Sequence, residues 1–175
     1  LRLGRLEDLD RACEVIILAI KPQDLPPVLE TLRRAVTTTR DRRVLVVSIA
    51  AGVQIHALER RLGRCPVIRV MPNLAAKVGA SVSVYAGGRW ANAADRAIVR
   101  AILGCVGDAI ELPERYFDIV TAISGSGPAY FFLIFQALRD AGVEAGLPKA
   151  VAERLAIRTA AGSASLAEAL RQDFE

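Results

Sequence analysis

Histidine is all but missing from this sequence: His56 is the single one in 175 residues. That scarcity removes most metal chemistry, because a zinc site needs three or four ligands. It also removes a Ser-His-Asp triad, since His56 lies in an ordinary amphipathic stretch with no activated-serine signature beside it. Cysteine is scarce as well. Cys13, Cys65 and Cys105 are odd in number, far apart and without a CxxC pair. In mostly apolar surroundings they point to a reducing, cytoplasmic home. Aromatic residues amount to 5%, and none interleave with a basic stripe. The net charge of +4 is spread along the chain. Its small clusters, Arg33-Arg34, Arg40 to Arg43 and Arg60-Arg61, read as solvated faces, so no nucleic-acid partner is expected. No apolar run reaches the length of a membrane span and no signal peptide opens the chain, so no membrane partner is expected either. Internal repeats and low-complexity tracts are absent.

What is present is a hydrophobic fraction of 53%, enough to bury one large core or two small ones. Val15-Ile16-Ile17-Leu18-Ala19-Ile20 is a continuous apolar run of strand length, the kind covered on both faces in a parallel sheet. Lys21-Pro22 ends it. Pro26-Pro27 opens a helix from about Val28 to Ala35, with Val28, Leu29, Leu32 and Val36 on its apolar face. After a polar turn over Thr37 to Arg43, Val44 to Ile49 is a second strand, closed by Ala50-Ala51-Gly52-Val53. Ile55 to Leu62 is a short helix with Gly63 behind it. Pro66 to Val70 is a third strand, followed by Met71-Pro72-Asn73. This β-α-β-α-β order with short connections predicts a parallel, doubly wound sheet. In such sheets ligands sit beyond the carboxyl ends of the strands. Taken singly, Lys21 reads as well as a surface lysine and Asn73 as a turn former. Three tails on one edge, Lys21-Pro22, Ala50-Ala51-Gly52 and Met71-Pro72-Asn73, point to a nucleotide or dinucleotide site.

Further on, Ala80 to Tyr85 alternates like a strand. Asn92 caps a helix running to about Leu103, with Ala94, Ile98, Ala101 and Ile102 as its apolar face. Asp108 to Leu112 is a last short strand. Past Pro113 every element reads as helix. Glu114 to Ile123 forms one, with Glu114 and Asp118 sharing a face as partners of the helix dipole. The stretch Thr121-Ala122-Ile123-Ser124-Gly125-Ser126-Gly127-Pro128-Ala129-Tyr130 reads as a helix start, capped by Ser126 or Gly127, with free N–H groups that favour a ligand carboxylate. A tight turn into a core helix is the plainer reading of the same residues. The following helix, to about Ala141, is apolar almost all round and is expected to be buried on most faces. A third, from Lys149 to about Arg171, carries the small-residue segment Thr159 to Ala164. Such helices need a partner chain or further sequence to cover them.

Val15–Gln23 (VIILAIKPQ), Val47–Val53 (VSIAAGV), Val67–Asn73 (VIRVMPN), Ser124–Tyr130 (SGSGPAY) and Asp140 to Pro148 follow one another in the order and spacing of pyrroline-5-carboxylate reductase. The resemblance runs through essentially the whole chain. It implies a Rossmann-like, doubly wound α/β domain over residues 1–112, followed by an all-helical dimerisation and substrate domain over 113–175. It implies reduction of the C=N bond of 1-pyrroline-5-carboxylate to L-proline with NADPH, or alternatively NADH, and a homodimer through the C-terminal helices that often assembles further. It places Ala19, Ile20, Lys21, Pro22, Ala50, Ala51, Gly52 and Asn73 against the cofactor. It places Glu114, Thr121, Ser124, Gly125 and Ser126 near the substrate, and assigns no catalytic side chain and no metal. The residue inventory agrees, because iminium reduction needs a hydride donor and a held acceptor rather than a nucleophile.

The family's first strand and Gly-rich phosphate loop lie upstream of what is here Leu1, and its Ser-Pro-Gly-Gly-Thr-type motif lies past the last residue. A polar residue, commonly Asn, that touches the adenosine end in relatives falls near Arg5-Leu6, where neither residue is Asn. The expectation is therefore a segment of a longer reductase that by itself binds cofactor poorly and turns over little. The rival readings are a truncated or degenerate relative acting only as a dimerisation module, a free-standing cofactor-binding regulator, and another Rossmann oxidoreductase with a helical second domain. The last fits poorly where it needs a lysine on a later helix, since Lys149 sits at a helix start.

Overall fold

The computed structural model of the protein describes residues 13–38 and 43–170, with the side chains of 35–38 left aside. The expectations for Leu1 to Arg11, for the polar turn at 39–42, for the side chain of Val36 and for residues 171–175 fall outside them. The chain falls into two units, Leu1–Ser126 and Gly127–Glu175.

The first unit is built on a five-stranded sheet whose strands lie side by side in chain order. They are β1 (Val15–Leu18), β2 (Leu45–Ser48), β3 (Val67–Met71), β4 (Ser81–Gly87) and β5 (Gly107–Glu111). β1, β2 and β3 are mutually parallel, as their continuous apolar runs predict. β4 departs from the expected all-parallel sheet: it pairs antiparallel with β3, and β5 then runs parallel to β4. The reason is the connection. Only a 3₁₀ turn, Leu74–Val78, lies between β3 and β4, and a parallel crossover needs a dozen residues or more.

One face of the sheet is covered by α1 (Leu25–Thr38) and α2 (Ile55–Leu62), which bury Leu25, Leu29, Leu32, Leu58 and Leu62 against Ile16, Val46 and Val67. α1 takes in Pro26 and Pro27 as its first turn, so it begins three residues before the expected start. The other face is covered by α3 (Ala93–Gly104), where Val99 and Leu103 meet Val47, Val70 and Tyr85. Asn92 caps α3 as expected, and more fully than expected: its side chain accepts from Asp95 N–H while Asp95 accepts from Asn92 N–H, a closed capping box. The inward stripe of α3 differs from the predicted one. Asp95, Val99 and Leu103 are buried, whereas Ile98 and Ile102 face outward. Asp95 can lie inside because Arg43 Nη2 reaches it at 2.6 Å.

Beyond β5 the single helix expected over Glu114 to Ile123 is three short pieces. A 3₁₀ turn spans Glu114–Tyr116, α4 spans Phe117–Val120, and a π turn spans Thr121–Gly125. Glu114 and Asp118 are thus not two residues of one α-helical face.

The second unit is an antiparallel-style pair of long helices joined by a short loop, α5 (Gly127–Glu144) and α6 (Lys149–Leu170). They approach closely at Gly142, where an added Cβ would stand 3.0 Å from the Ala152 Cβ. The expectation that α5 is buried on most faces is not met within the single chain. Gly127 is its one buried residue, while Phe131, Phe132, Leu133, Ile134 and Leu138 are exposed. No uninterrupted apolar run reaches membrane length, but an 18-residue window within Glu114–Glu144 has a mean hydropathy of 1.3, by length and composition apolar enough to cross one. The cysteines are also less uniform than expected: Cys65 is buried, Cys13 half-buried and Cys105 exposed.

Candidate active site

The carboxyl ends of β1 and β2 are adjacent and in register, Leu18 beside Ser48, so their tails leave the sheet side by side. The first tail carries Ala19, Ile20, Lys21 and Pro22, all exposed. The second carries Ala50, which is buried, then Ala51 and Gly52, which are exposed. Ser48, itself buried, steadies the second tail by accepting the Ala50 N–H at 3.4 Å. Gly52 turns the chain with φ 74°, a conformation that side-chain-bearing residues rarely adopt. The result is a shelf on two neighbouring strands in which Ala19, Ala51 and Gly52 are small and Ile20, Lys21 and Pro22 are not.

Asn73 leaves the third strand on the same edge and is committed through all of its polar groups. Its backbone N–H donates to Ser81 Oγ at 3.2 Å, and its Oδ1 accepts the Ala75 N–H at 3.0 Å, capping the 3₁₀ turn. Its Nδ2 donates to Ser124 Oγ at 3.2 Å, and that hydroxyl donates in turn to the Val82 carbonyl at 3.2 Å. Beneath them Ser81 and Ser83, both buried, share a hydrogen bond of 3.2 Å. Antiparallel β4 makes this possible, because it starts at the edge where β3 ends. Gly125 lies against β3 as well. A Cβ there would come within 2.5 Å of Met71 Cε, so the turn approaches the sheet as closely as glycine permits.

The structure therefore joins Asn73 with Ser124 and brings Gly125 against Met71. It does not gather the other expected substrate residues into that cluster. Thr121 Oγ1 donates back to the Phe117 carbonyl at 2.7 Å. Ser126 stands between the π turn and α5, the cap position the sequence predicts, and gives its own N–H to the Thr121 carbonyl at 2.8 Å. Glu114 sits in a second cluster. Its Oε1 accepts from Ile55 N–H at 2.7 Å and from Arg69 Nη1 at 2.8 Å. Ile55 is the first residue of α2, whose N-cap Gln54 supplies no side-chain bond. Glu114 is thus a dipole partner as expected, but of a helix distant in sequence and only three residues beyond Gly52.

Residues 114–175 match the family described as pyrroline-5-carboxylate reductase dimerisation. A pyrroline-5-carboxylate reductase of Mycobacterium leprae is 46% identical over 161 residues, which is 90% of this chain and 55% of that protein. One from Synechocystis is 42% identical over 153 residues, 87% of this chain and 55% of that protein. The crystal structure of Plasmodium falciparum pyrroline carboxylate reductase with NADP bound superposes with a TM-score of 0.88 at 31% identity, covering 99% of this chain and 63% of that one. The chain belongs to the pyrroline-5-carboxylate reductase family. It spans about half the length of the curated relatives it matches.

Sequence reading of this reductase-family chain passed over Arg69, Ser81 and Ser83. For Arg69 a signal was there: a charged residue inside Val67-Ile68-Arg69-Val70, a run that otherwise reads as covered on both faces, must be paired. Ser81 and Ser83 gave none, since alternating serines in a strand read as its wet face.

Proposed function

We propose that this chain is the cofactor-facing and helical part of a reductase that converts 1-pyrroline-5-carboxylate to L-proline with a reduced nicotinamide cofactor, NADPH or alternatively NADH. The observation that carries the reading is the Asn73–Ser124 hydrogen bond, which ties the cofactor edge of the sheet to the Ser-Gly-Ser turn. The exposed shelf of Ala19 to Pro22, Ala51 and Gly52 fits a flat ring, having no bulky side chain over Gly52, where an added Cβ meets nothing within 4 Å. The cofactor supplies the hydride. The chain's own residues then do the holding: the β1 and β2 tails support the nicotinamide end, Asn73 fixes the turn, and Glu114 lies on the substrate side. A carboxylate there favours the protonated, electrophilic imine over the neutral one.

We keep the functional boundary at Leu112/Pro113, supported by a family match that begins at residue 114. The apolar helices α5 and α6 pair with a second copy, which gives the exposed aromatic and aliphatic side chains a protein cover and favours a homodimer over a membrane span. Three cysteines without disulfides suit a cytoplasmic setting.

The test is loss of NADPH absorbance on addition of 1-pyrroline-5-carboxylate, for the 175-residue chain and for the same chain completed at both ends to the length of its relatives. Turnover by the completed protein alone is the expected result. Turnover by the short chain unaided would show that the added ends are dispensable. Dimers with no activity in either would favour a structural module.

A further inference from the structure

We propose that Arg69 is the positioning residue for the Glu114 carboxylate, an inference that rests on the reading of Glu114 as a substrate-side group. Arg69 lies mid-strand in β3 between Ser48 of β2 and Ala86 of β4, and is 4% exposed. A guanidinium in such a place is costly unless a carboxylate meets it. Glu114 is that carboxylate, at 2.8 Å. The guanidinium also stands 4.6 Å over the ring of Phe117, which is 1% exposed. Arg69 therefore grips the segment after β5 at two points three residues apart, its carboxylate and its ring. That segment leads directly into the Thr121–Gly125 turn.

The geometry at Glu114 is one-sided. Oε1 takes both donors, from Arg69 and from Ile55 N–H. Oε2 has no protein partner among the described residues. Glu114 also lines an open cleft with Ile55, His56, Glu59, Arg96 and Glu111. A carboxylate fixed by one oxygen and uncommitted at the other suits acceptance of a hydrogen bond from an iminium N–H. Removing the guanidinium leaves only the Ile55 N–H to orient it. Lysine would restore charge but not the planar fork or the stacking on Phe117.

The experiment uses the full-length reductase carrying this sequence, with Arg69→Met, Arg69→Lys, Glu114→Gln and the double variant Arg69→Met/Glu114→Gln. KM is read separately for 1-pyrroline-5-carboxylate and for NADPH. We expect Glu114→Gln and Arg69→Met each to raise the imine KM about tenfold, with the double variant no worse than the worse single, as for residues acting as one unit. The NADPH KM stays within about twofold of the parent, and Arg69→Lys falls between parent and Arg69→Met. An imine KM unchanged in folded Arg69→Met, or effects that multiply in the double variant, overturns the proposal. A silent Glu114→Gln overturns the substrate-side reading of Glu114 and this role with it. If Arg69→Met does not fold, Arg69→Lys decides: an imine KM raised about threefold or more supports the role, and an unchanged one overturns it.

Discussion

Cys65 and Cys105 carry the same thiol in opposite surroundings. Cys65 is buried, with Sγ 3.4 Å from the Val44 carbonyl, and burial pushes its thiol up to about 11. Its thiolate is scarce at any working pH, and the thiolate is the reactive form. Alkylation by iodoacetamide at pH 8, followed by peptide mass spectrometry, is expected to label exposed Cys105 first and Cys65 only as the protein unfolds. Equal labelling would contradict the burial. Asp95 is the other instructive side chain. Burial works to raise its carboxyl, but the Arg43 guanidinium and the Asn92 N–H outweigh that and hold it below its ordinary value of 3.8. Its folded value lies below its unfolded one. The stabilisation is therefore present above pH 3.8 and is lost as the pH falls through the lower folded value. Asp95→Asn, which removes the charge that meets Arg43 while leaving an amide oxygen for the Asn92 N–H, is expected to cost about 1–2 kcal/mol at neutral pH. Urea midpoints of parent and variant should converge as the pH drops below 3.8. Asn73→Ala in the full-length reductase is expected to lower kcat/KM by about a hundredfold, the scale of a displaced reacting group, with little loss of melting temperature.

At the scale of elements, α3 separates what a sequence pattern shows from what packing decides. Ala94, Ile98, Ala101 and Ile102 form one apolar stripe and Val99 with Leu103 forms part of another; both satisfy helical spacing. The second faces the sheet because Arg43 neutralises Asp95 on the same stripe. Leu103→Ala should therefore cost about 2–4 kcal/mol and Ile102→Ala less than about 1 kcal/mol, measured by chemical denaturation. The reverse order would restore the predicted face. Strands β1, β2 and β3 were legible because each is a short run of β-branched residues ended by proline, glycine or asparagine. The direction of β4 was not written in its own residues, which alternate alike in either orientation; it resides in the short link before it. The π turn was hidden for a related reason. Ser-Gly-Ser-Gly-Pro reads as a break between helices, whereas the N–H of Ser126 is satisfied five residues back, at Thr121. That the tails carrying Lys21, Gly52 and Asn73 leave the sheet at one edge was legible from position alone. The partners of Glu114 were not, since Ile55 and Arg69 lie 59 and 45 residues away in the chain.

For the molecule as a whole, the exposed face of α5 is the largest departure from a self-sufficient fold. Phe131, Phe132 and Leu133 are each more than half exposed. Apolar surface of this kind on a protein marks an interface. Leu133→Glu is expected to weaken self-association by at least about a hundredfold, a scale set by placing an unpaired charge in a buried interface. Sedimentation equilibrium reads this directly, and an unchanged dimer would move the interface elsewhere. The division after Ser126 has a further bearing on how such reductases could be recombined. The Thr121–Gly125 turn is moored by Asn73, Val82 and Met71, all of which belong to the sheet unit. A helical unit from a relative, spliced on at Gly127, would arrive with the turn already held in place. The same graft made at Glu114, where the family match begins, would bring a foreign glutamate, phenylalanine and serine to meet Arg69 and Asn73, and chimeras cut at that point would survive only where those partners happen to agree.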